Sequence, residues 1–360
     1  MNIGILSQLK ERNLTGINKA TVGIMRELQK IDQKNNYYFL GKSEWLKLDM
    51  ETIPMYQSSD KGIVLNYPVI SHKLNLVHSY YKAFELHDNI PCGKIITIND
   101  LIPYIHPEWT STKLCQYFDN EIRRCAEQAD IVIAISEYTK SDIINYFHLP
   151  EDKIKVVYCG LNNPDKYRAP LSGKKIERFE GMEFILSVSA IHYNKNQEGL
   201  IRGFFAFKER NPDCDIKLVL AGPTRNAESI PLELRSHPRF EKDIIFTGYV
   251  SDDELIGLYA NALAFAYVSL YEGFGIPILE AMAAGKAVIC SDTTSMPEVG
   301  GDAVEYCNPY DYESIAISME DVVFNLERRK QLEERAIIQA KKFSYEKAAK
   351  QILEIYNKFE

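Results

Sequence analysis

Short apolar runs alternate with helical stretches along nearly the whole chain, and this alternation restricts the fold more than any other feature. The runs cover residues 2–7, 36–40, 94–99, 130–135 and 154–158 in the first half. They continue over 184–189, 216–221, 244–247, 263–268 and 287–291 in the second. Most are continuously hydrophobic, without a period of two, as strands covered on both faces are. Helical stretches such as 139–146 and 198–208 supply the crossovers. Repeated strand, helix, strand implies an α/β protein with parallel sheets.

The alternation pauses once, at LNNPDKYRAPLSGKKIERFEG (161–181), which is rich in Pro, Gly, Asn and charge. This reads as the hinge between two doubly wound, Rossmann-like domains, and 360 residues suffice for two cores. The expected division is 1–165, 166–343 and a final helix in 344–360. That helix, 345–358, follows Ser344 as a cap and places Tyr345, Ala348, Ala349, Ile352, Leu353 and Tyr356 on one face.

Charge and cysteine usage remove several function classes. A net charge of −8 leaves no basic surplus for nucleic-acid phosphates, so no nucleic-acid partner is expected. No apolar run approaches the roughly 20 residues of a membrane span, and MNIGILSQLKERN turns polar too early for a signal peptide. Seven cysteines without a C-x-x-C pair fit reduced thiols in a cytoplasmic protein, with no zinc site. No G-x-G-x-x-G follows the first run, and Gly41–Lys42–Ser43 mimics a P-loop with Asn36 at the required first glycine. Dinucleotide oxidoreductases and P-loop enzymes are therefore set aside.

The most informative stretch is YEGFGIPILEAMAAGKAVICSD, from Tyr271 to Asp292. Glu272 lies in a glycine-rich turn and Glu280 among Ile278, Leu279, Ala281 and Met282, where a carboxylate is costly unless something polar meets it. Gly273 and Gly275 allow unusual φ, Pro277 suits a first helical turn, and Gly285 suits a C′ cap, giving a helix over 277–284. Its N-terminus stands at the carboxyl end of a sheet, where open α/β sheets bind ligands and phosphates are favoured. Two carboxylates repel a phosphate, so sugar hydroxyls are their better partners. The competing reading is that both acids only complement the helix dipole.

E-G-F-G-I-P-I-L-E, with seven residues between the acids, resembles the E-x7-E signature of retaining glycosyltransferases of family four, which have the GT-B fold. The segments IIFTGYVSDDELIGLYANALAFAYVSLYEGFGIPILEAMAAGKAVICSDTTSMPEVGGDAV, SVSAIHYNKNQEGLIRGF, KIITINDLIPYIHPEW, ADIVIAISEYTKSDI and IKVVYCG are similar to the same family. The resemblance implies two Rossmann-like domains facing across a cleft, closing about the hinge, with the C-terminal helix packing back toward the N-terminal domain. It implies a catalytic group of Glu272, Lys195, Asp100 and Asn99. Glu272 would hold hydroxyls of the donor sugar, helped by backbone N–H groups of Gly273, Phe274 and Gly275, with Ile276 beside them. Glu280 would grip the ribose, Lys195 and its neighbour Asn194 the diphosphate, and Gly248, Tyr249 and Val250 would line the base. Gly16 would approach the diphosphate from the N-terminal domain, and Asn99 and Asp100 would face the sugar and acceptor.

Three positions depart from the family pattern. Asn99 stands where His is usual and cannot carry a proton, Asn194 stands where many relatives have Arg, and Thr15 and Asn18 replace loop glycines near Lys19. The resemblance implies transfer from a nucleoside diphosphate sugar, UDP- or GDP-linked, to a hydroxyl on a glycan, a lipid-linked saccharide or a protein, in bacterial surface-glycan synthesis. Retention of anomeric configuration is taken from the resemblance. A metal-binding D-x-D is matched by Asp213–Cys214–Asp215, but before a strand, at the wrong end of the sheet. It reads as a solvated loop, so no metal and no cofactor are expected, and Lys195 with the helix N-terminus would carry the charge instead. The other function class kept open is a GT-B-fold accessory subunit without transfer. The Asn99 and Asn194 departures favour it, and the joint presence of Lys195, Glu272 and Glu280 opposes it. His78 reads either as an acceptor-side or as a structural histidine, while His87, His106 and His192 are weaker candidates. Glu298 reads as a first-turn helix acid. Arg123–Arg124 reads as a solvated helix face or a peripheral contact with an anionic membrane, at the inner face.

Overall fold

Continuous apolar runs that must be covered on both faces form two wholly parallel sheets, one in each of two compact units. The first unit is Met1–Asn162 with Phe343–Glu360, and the second is Asn163–Lys342. The computed structural model describes residues 1–7, 16–40, 51–53, 56–57, 63–64, 74–80, 84–85, 92–168, 179–223 and 230–360. Thr15, Gly41–Lys42–Ser43, His87 and positions 169–178 of the expected hinge lie outside the described residues.

In the first unit the strands are β1 (Asn2–Ser7), β2 (Asn36–Leu40), β3 (Glu51–Ile53), β4 (Tyr56–Gln57), β5 (Ile63–Val64), β6 (Leu76–Tyr80), β7 (Phe84–Glu85), β8 (Gly93–Ile98), β9 (Ile131–Ala134) and β10 (Ile154–Val156). Seven of them form the main sheet in the order β10-β9-β8-β6-β1-β2-β3, and β4, β5 and β7 form a small separate one. The second unit holds β11 (Phe184–Val188), β12 (Lys217–Ala221), β13 (Ile244–Gly248), β14 (Ala264–Tyr267), β15 (Ala287–Ser291) and β16 (Glu305–Cys307), in the order β13-β12-β11-β14-β15-β16. In each main sheet the chain winds outward from the first strand, then returns to that strand's other side. The resulting switch points lie between β1 and β6 and between β11 and β14. Phe204 and Phe207, on the helix Gln197–Arg210, pack into the second core; Phe118, Ile122 and Phe147 fill the first.

The strands that sequence reading missed are those whose apolar run is broken or very short. β6 reads LVHSY, with His78 and Ser79 interrupting it, yet all five residues are buried. β16 is three residues long. Burial of β6 is possible because His78 is fully partnered: Nδ1 lies 2.6 Å from Tyr356 Oη and Nε2 lies 2.7 Å from Thr97 Oγ1. His78 is thus an interior brace of the first unit.

Tyr356 comes from the final helix, Tyr345–Tyr356, which packs on the helix Gly16–Ile31 within the first unit. Ser344 caps it, accepting from Lys347 N at 3.2 Å. Its covered face uses Ile355, while Leu353 is only half-buried, a rotation of the expected stripe. Close approach at two glycines seats the helix. A Cβ at Gly23 would stand 2.2 Å from the Tyr345 ring, and one at Gly160 would stand 2.3 Å from the backbone of Ser344.

Burial holds the His78 imidazole down, to about 3 from its ordinary 6.5. In acid the unfolded chain therefore binds a proton that the folded chain refuses, and stability falls as pH drops from about 6.5 toward 3. The expected loss in urea titrations is about 1.4 kcal/mol per pH unit below 6. A His78→Gln variant should lack this component, and equal acid sensitivity in both proteins would refute it.

Candidate functional site

The site residues of the second unit gather where β11 and β14 end. Leu186 pairs with Phe265, so these two strands finish level, at Val188 and Tyr267. The loop after β11 contains the short turn Tyr193–Lys195, and the loop after β14 contains Glu272. Lys195 Nζ lies 2.6 Å from Glu272 Oε1 and 3.1 Å from Tyr267 Oη, and Tyr267 donates to the same Oε1 at 2.9 Å. Both bonds fall on Oε1. Burial alone would lower the Lys195 ammonium, but the facing Glu272 carboxylate and the Tyr267 hydroxyl hold it above its ordinary value. Burial, then the Glu272 charge, pushes the Tyr267 phenol up, so Tyr267 stays a neutral donor.

Two asparagines fix the Lys195 turn. Asn194, almost wholly buried, donates from Nδ2 to the Tyr271 carbonyl at 3.0 Å, and its carbonyl oxygen lies 2.6 Å from His192 Nδ1. Leu270 N donates back to the Asn194 carbonyl at 2.7 Å. Asn196 adopts a left-handed conformation at φ 52, caps the helix Gln197–Arg210 and donates to the carbonyls of Val268 and Pro309. The side chain of Asn194 thus braces two loops against each other, and Lys195 between the asparagines is aimed at Glu272.

The glycine turn behaves as its residues require. Gly275 takes φ 99 and heads the helix Ile276–Ala283, with Pro277 in its first turn. The helix ends as a Schellman motif: Gly285, at φ 71, donates to Met282 O at 3.0 Å and Lys286 N donates to Ala281 O at 3.1 Å. Gly273 and Phe274 are buried beside Glu272, whose N–H reaches Thr294 Oγ1 at 3.3 Å. Glu280 is buried and met by two phenols, Tyr167 at 2.8 Å on Oε1 and Tyr259 at 3.0 Å on Oε2. Burial, then the Glu280 charge, raises Tyr259 well above the ordinary phenol value.

Gly248, at φ 70, ends β13, and Tyr249 and Val250 follow it at the same end of the sheet, with Tyr249 exposed. The Asp213–Cys214–Asp215 segment precedes β12, at the opposite end, and Asp215 pairs with Lys217 at 2.7 Å. Glu298 lies in the first turn of the helix Met296–Gly300. In the first unit Asn99 and Asp100 follow β8. Asn99 is buried, with its carbonyl accepting from Thr139 Oγ1 at 3.3 Å, and Asp100 Oδ1 accepts from Ile102 N at 3.1 Å. Gly16 opens the helix Gly16–Ile31, while the loop before it lies outside the described residues. Arg123 pairs with Glu127 and Arg124 with Glu121, the pattern of a charged helix face. Among the described residues no helix is long and apolar enough to cross a membrane.

Residues 171–358 match the family described as glycosyl transferases group 1, and residues 69–163 match glycosyltransferase family 4. The chain belongs to the group 1 glycosyl transferases of family four. Like the other members it is a glycosyltransferase, and it has the two-domain α/β GT-B fold. It is 29% identical over 269 residues to O-antigen chain mannosyltransferase B of Escherichia coli, covering 73% of this chain and 69% of that protein. It is 30% identical over 270 residues to the serotype-specific mannosyltransferase WbdA of Escherichia coli, where the match covers 73% of this chain but only 33% of that longer protein. Anabaena Alr3699/HepE, solved in complex with UDP and glucose, has the same fold, with TM-score 0.76 over 99% of this chain and 100% of that one at 16% identity.

Sequence reasoning missed Tyr267, Tyr259, Tyr167 and Asn196. A signal was present for the first: a phenol ending a strand covered on both faces needs a partner, and only polar groups at the carboxyl end supply one. Replacing Lys195 by Met leaves the nearly buried Glu272 carboxylate with Tyr267 alone, which should cost the fold about 2–3 kcal/mol in chemical unfolding. The double variant Lys195→Met/Glu272→Gln should recover at least half of that loss. A neutral single variant would show that the pair is not coupled.

Proposed function

We propose that this glycosyltransferase moves a hexosyl or deoxyhexosyl group from a nucleoside diphosphate sugar to a hydroxyl of a bacterial surface glycan, with retention and without a metal. The observation that carries the reading is the Lys195–Glu272–Tyr267 cluster at the β11/β14 switch point, with Glu280 on the helix that follows the Glu272 loop. Lys195 supplies fixed positive charge for the departing diphosphate. Glu272 accepts from a donor-sugar hydroxyl, and Glu280, held by two phenols, accepts from the ribose. Gly248, Tyr249 and Val250 line the base, and Asn99 and Asp100 serve the acceptor side from the first unit.

As the glycosidic bond breaks, negative charge grows on the β-phosphate and positive charge on the sugar. Preorganised donors facing that oxygen act without reorganising, and removal of one costs about 3–4 kcal/mol in rate. Front-side attack through an oxocarbenium-like ion pair needs no protein nucleophile, since the departing phosphate takes the acceptor proton. Glu272 suits that scheme, because its Oε1 is already tied to Lys195 and Tyr267. Asp215 of the D-x-D segment is paired with Lys217 at the far end of the sheet, which favours charge stabilisation by Lys195. The mannosyltransferases among the relatives make mannose the first sugar to test.

Calorimetric titration with UDP, GDP and their hexose conjugates in EDTA tests the reading. One nucleotide class should bind in the micromolar range, Glu280→Ala should weaken it at least tenfold, and Lys195→Ala should lower kcat by 100-fold or more. A folded protein that binds none of them would remove the enzyme reading and leave the accessory-subunit alternative.

A further inference from the structure

Beside the turn that carries Lys195, the second unit has a hollow of about 330 Å³, within the size range of small-ligand sites. Three tyrosines rim it: Tyr193, Tyr310 and Tyr312, which are 64%, 71% and 50% exposed. Single exposed rings are ordinary, but three around one hollow are not scattered exposure.

The backbone that presents them is fixed. Tyr193 opens the turn Tyr193–Lys195, which the two asparagines brace. Tyr310 lies in the turn after β16, where its N–H donates to Asn308 Oδ1 at 3.0 Å and Asn308 N donates to Ser314 Oγ at 3.0 Å. Tyr312 begins the helix Tyr312–Phe324, which Asp311 caps. Asn196 ties the two sides together through its 2.8 Å bond to the Pro309 carbonyl. Rigid rings with few torsions lose little entropy when a ligand arrives.

The polar groups at the rim carry both signs. Arg202 donates from Nε and Nη2 to Glu198 Oε1 at 2.9 and 2.8 Å, and both side chains remain nearly half-exposed. Their charges cancel, so neither an anion nor a cation is favoured. A ligand that suits aromatic faces beside a paired carboxylate and guanidinium has an apolar side, a ring of hydroxyls and no net charge. A pyranose meets all three conditions: its C–H face meets the negative ring face, and its hydroxyls hydrogen-bond to ionised groups.

We infer that this hollow binds a chain of neutral pyranose residues, as a glycan-holding site separate from the donor side chains. The identification of that glycan as the already built part of the acceptor rests on the proposed function; the binding itself does not. Holding the polymer on the unit that carries the donor residues raises the local concentration of acceptor ends without any contact at the reacting atoms.

The test is native affinity electrophoresis in gels cast with α-mannan, dextran, pullulan, laminarin or galactomannan, with hyaluronan as the anionic comparison. At least one neutral glycan should retard the protein. Tyr310→Ala/Tyr312→Ala should raise the dissociation constant tenfold or more, and Tyr310→Phe/Tyr312→Phe should retain most of the binding. Nucleotide titration should be unchanged within twofold in both variants, which also reports that the second unit is folded. No retardation by any neutral glycan, retardation that the alanine variant keeps, or preference for hyaluronan would overturn the inference. Glycan binding without nucleotide binding would remove the proposed function and leave this site standing; the reverse result would do the opposite.

Discussion

A carboxylate removed from water has to be answered by donors, and two such carboxylates organise the second unit. Glu272 and Glu280 are each about nine-tenths buried within one loop and helix. Their partners are Lys195 and Tyr267 for one and Tyr167 and Tyr259 for the other, and Lys195 and Tyr167 come from distant parts of the chain. The requirement acts on the fold as well as on the site. Tyr259 can lie wholly buried on the helix Asp252–Asn261 because Glu280 takes its hydroxyl. Tyr267 can end a covered strand because Glu272 and Lys195 meet it.

The topology then decides where those partners meet. Parallel strands place all carboxyl ends on one side, and the reversal of winding between β11 and β14 leaves adjacent strands whose loops diverge. Lys195 leaves by one loop and Glu272 by the other, and Asn194 and Asn196 bind the loops together through Tyr271, Val268 and Pro309. A lysine on a four-carbon stem is a flexible point charge. Fixing its backbone on both sides is what makes it a directed one.

How much of this was legible in the sequence follows from range. The ten long apolar runs announced both sheets because burial on two faces leaves an unbroken hydrophobic record. β6 left none, since His78 within it is tolerated only through Tyr356 and Thr97, and the first of these lies 278 residues away. The glycine turn, its proline and the Gly285 cap were readable because φ preferences are local. Glu272, Lys195 and Glu280 were readable through a motif. The phenols that hold the acids were harder to read, because Tyr259 in its hydrophobic run looks like core until its hydroxyl finds a partner, and Tyr167 lies in the polar hinge stretch. The final helix shows the same limit: its existence followed from its period, while its rotation toward Ile355 depends on the surface it meets.

Asn194 ties these strands of reasoning together. A longer, charged side chain there would add a second cation beside Lys195, but the position is buried and its amide fills a two-sided bridge between His192 and Tyr271. An arginine cannot accept from His192 and would have to leave that gap. In this chain the turn therefore supplies positional order at Asn194 and charge at Lys195 alone. On the proposed mechanism the leaving diphosphate then meets one fixed ammonium together with the N-terminus of the helix Ile276–Ala283, whose dipole is equivalent to about half a positive charge. That balance makes the alignment of Lys195, more than the number of cations, the quantity on which transfer depends.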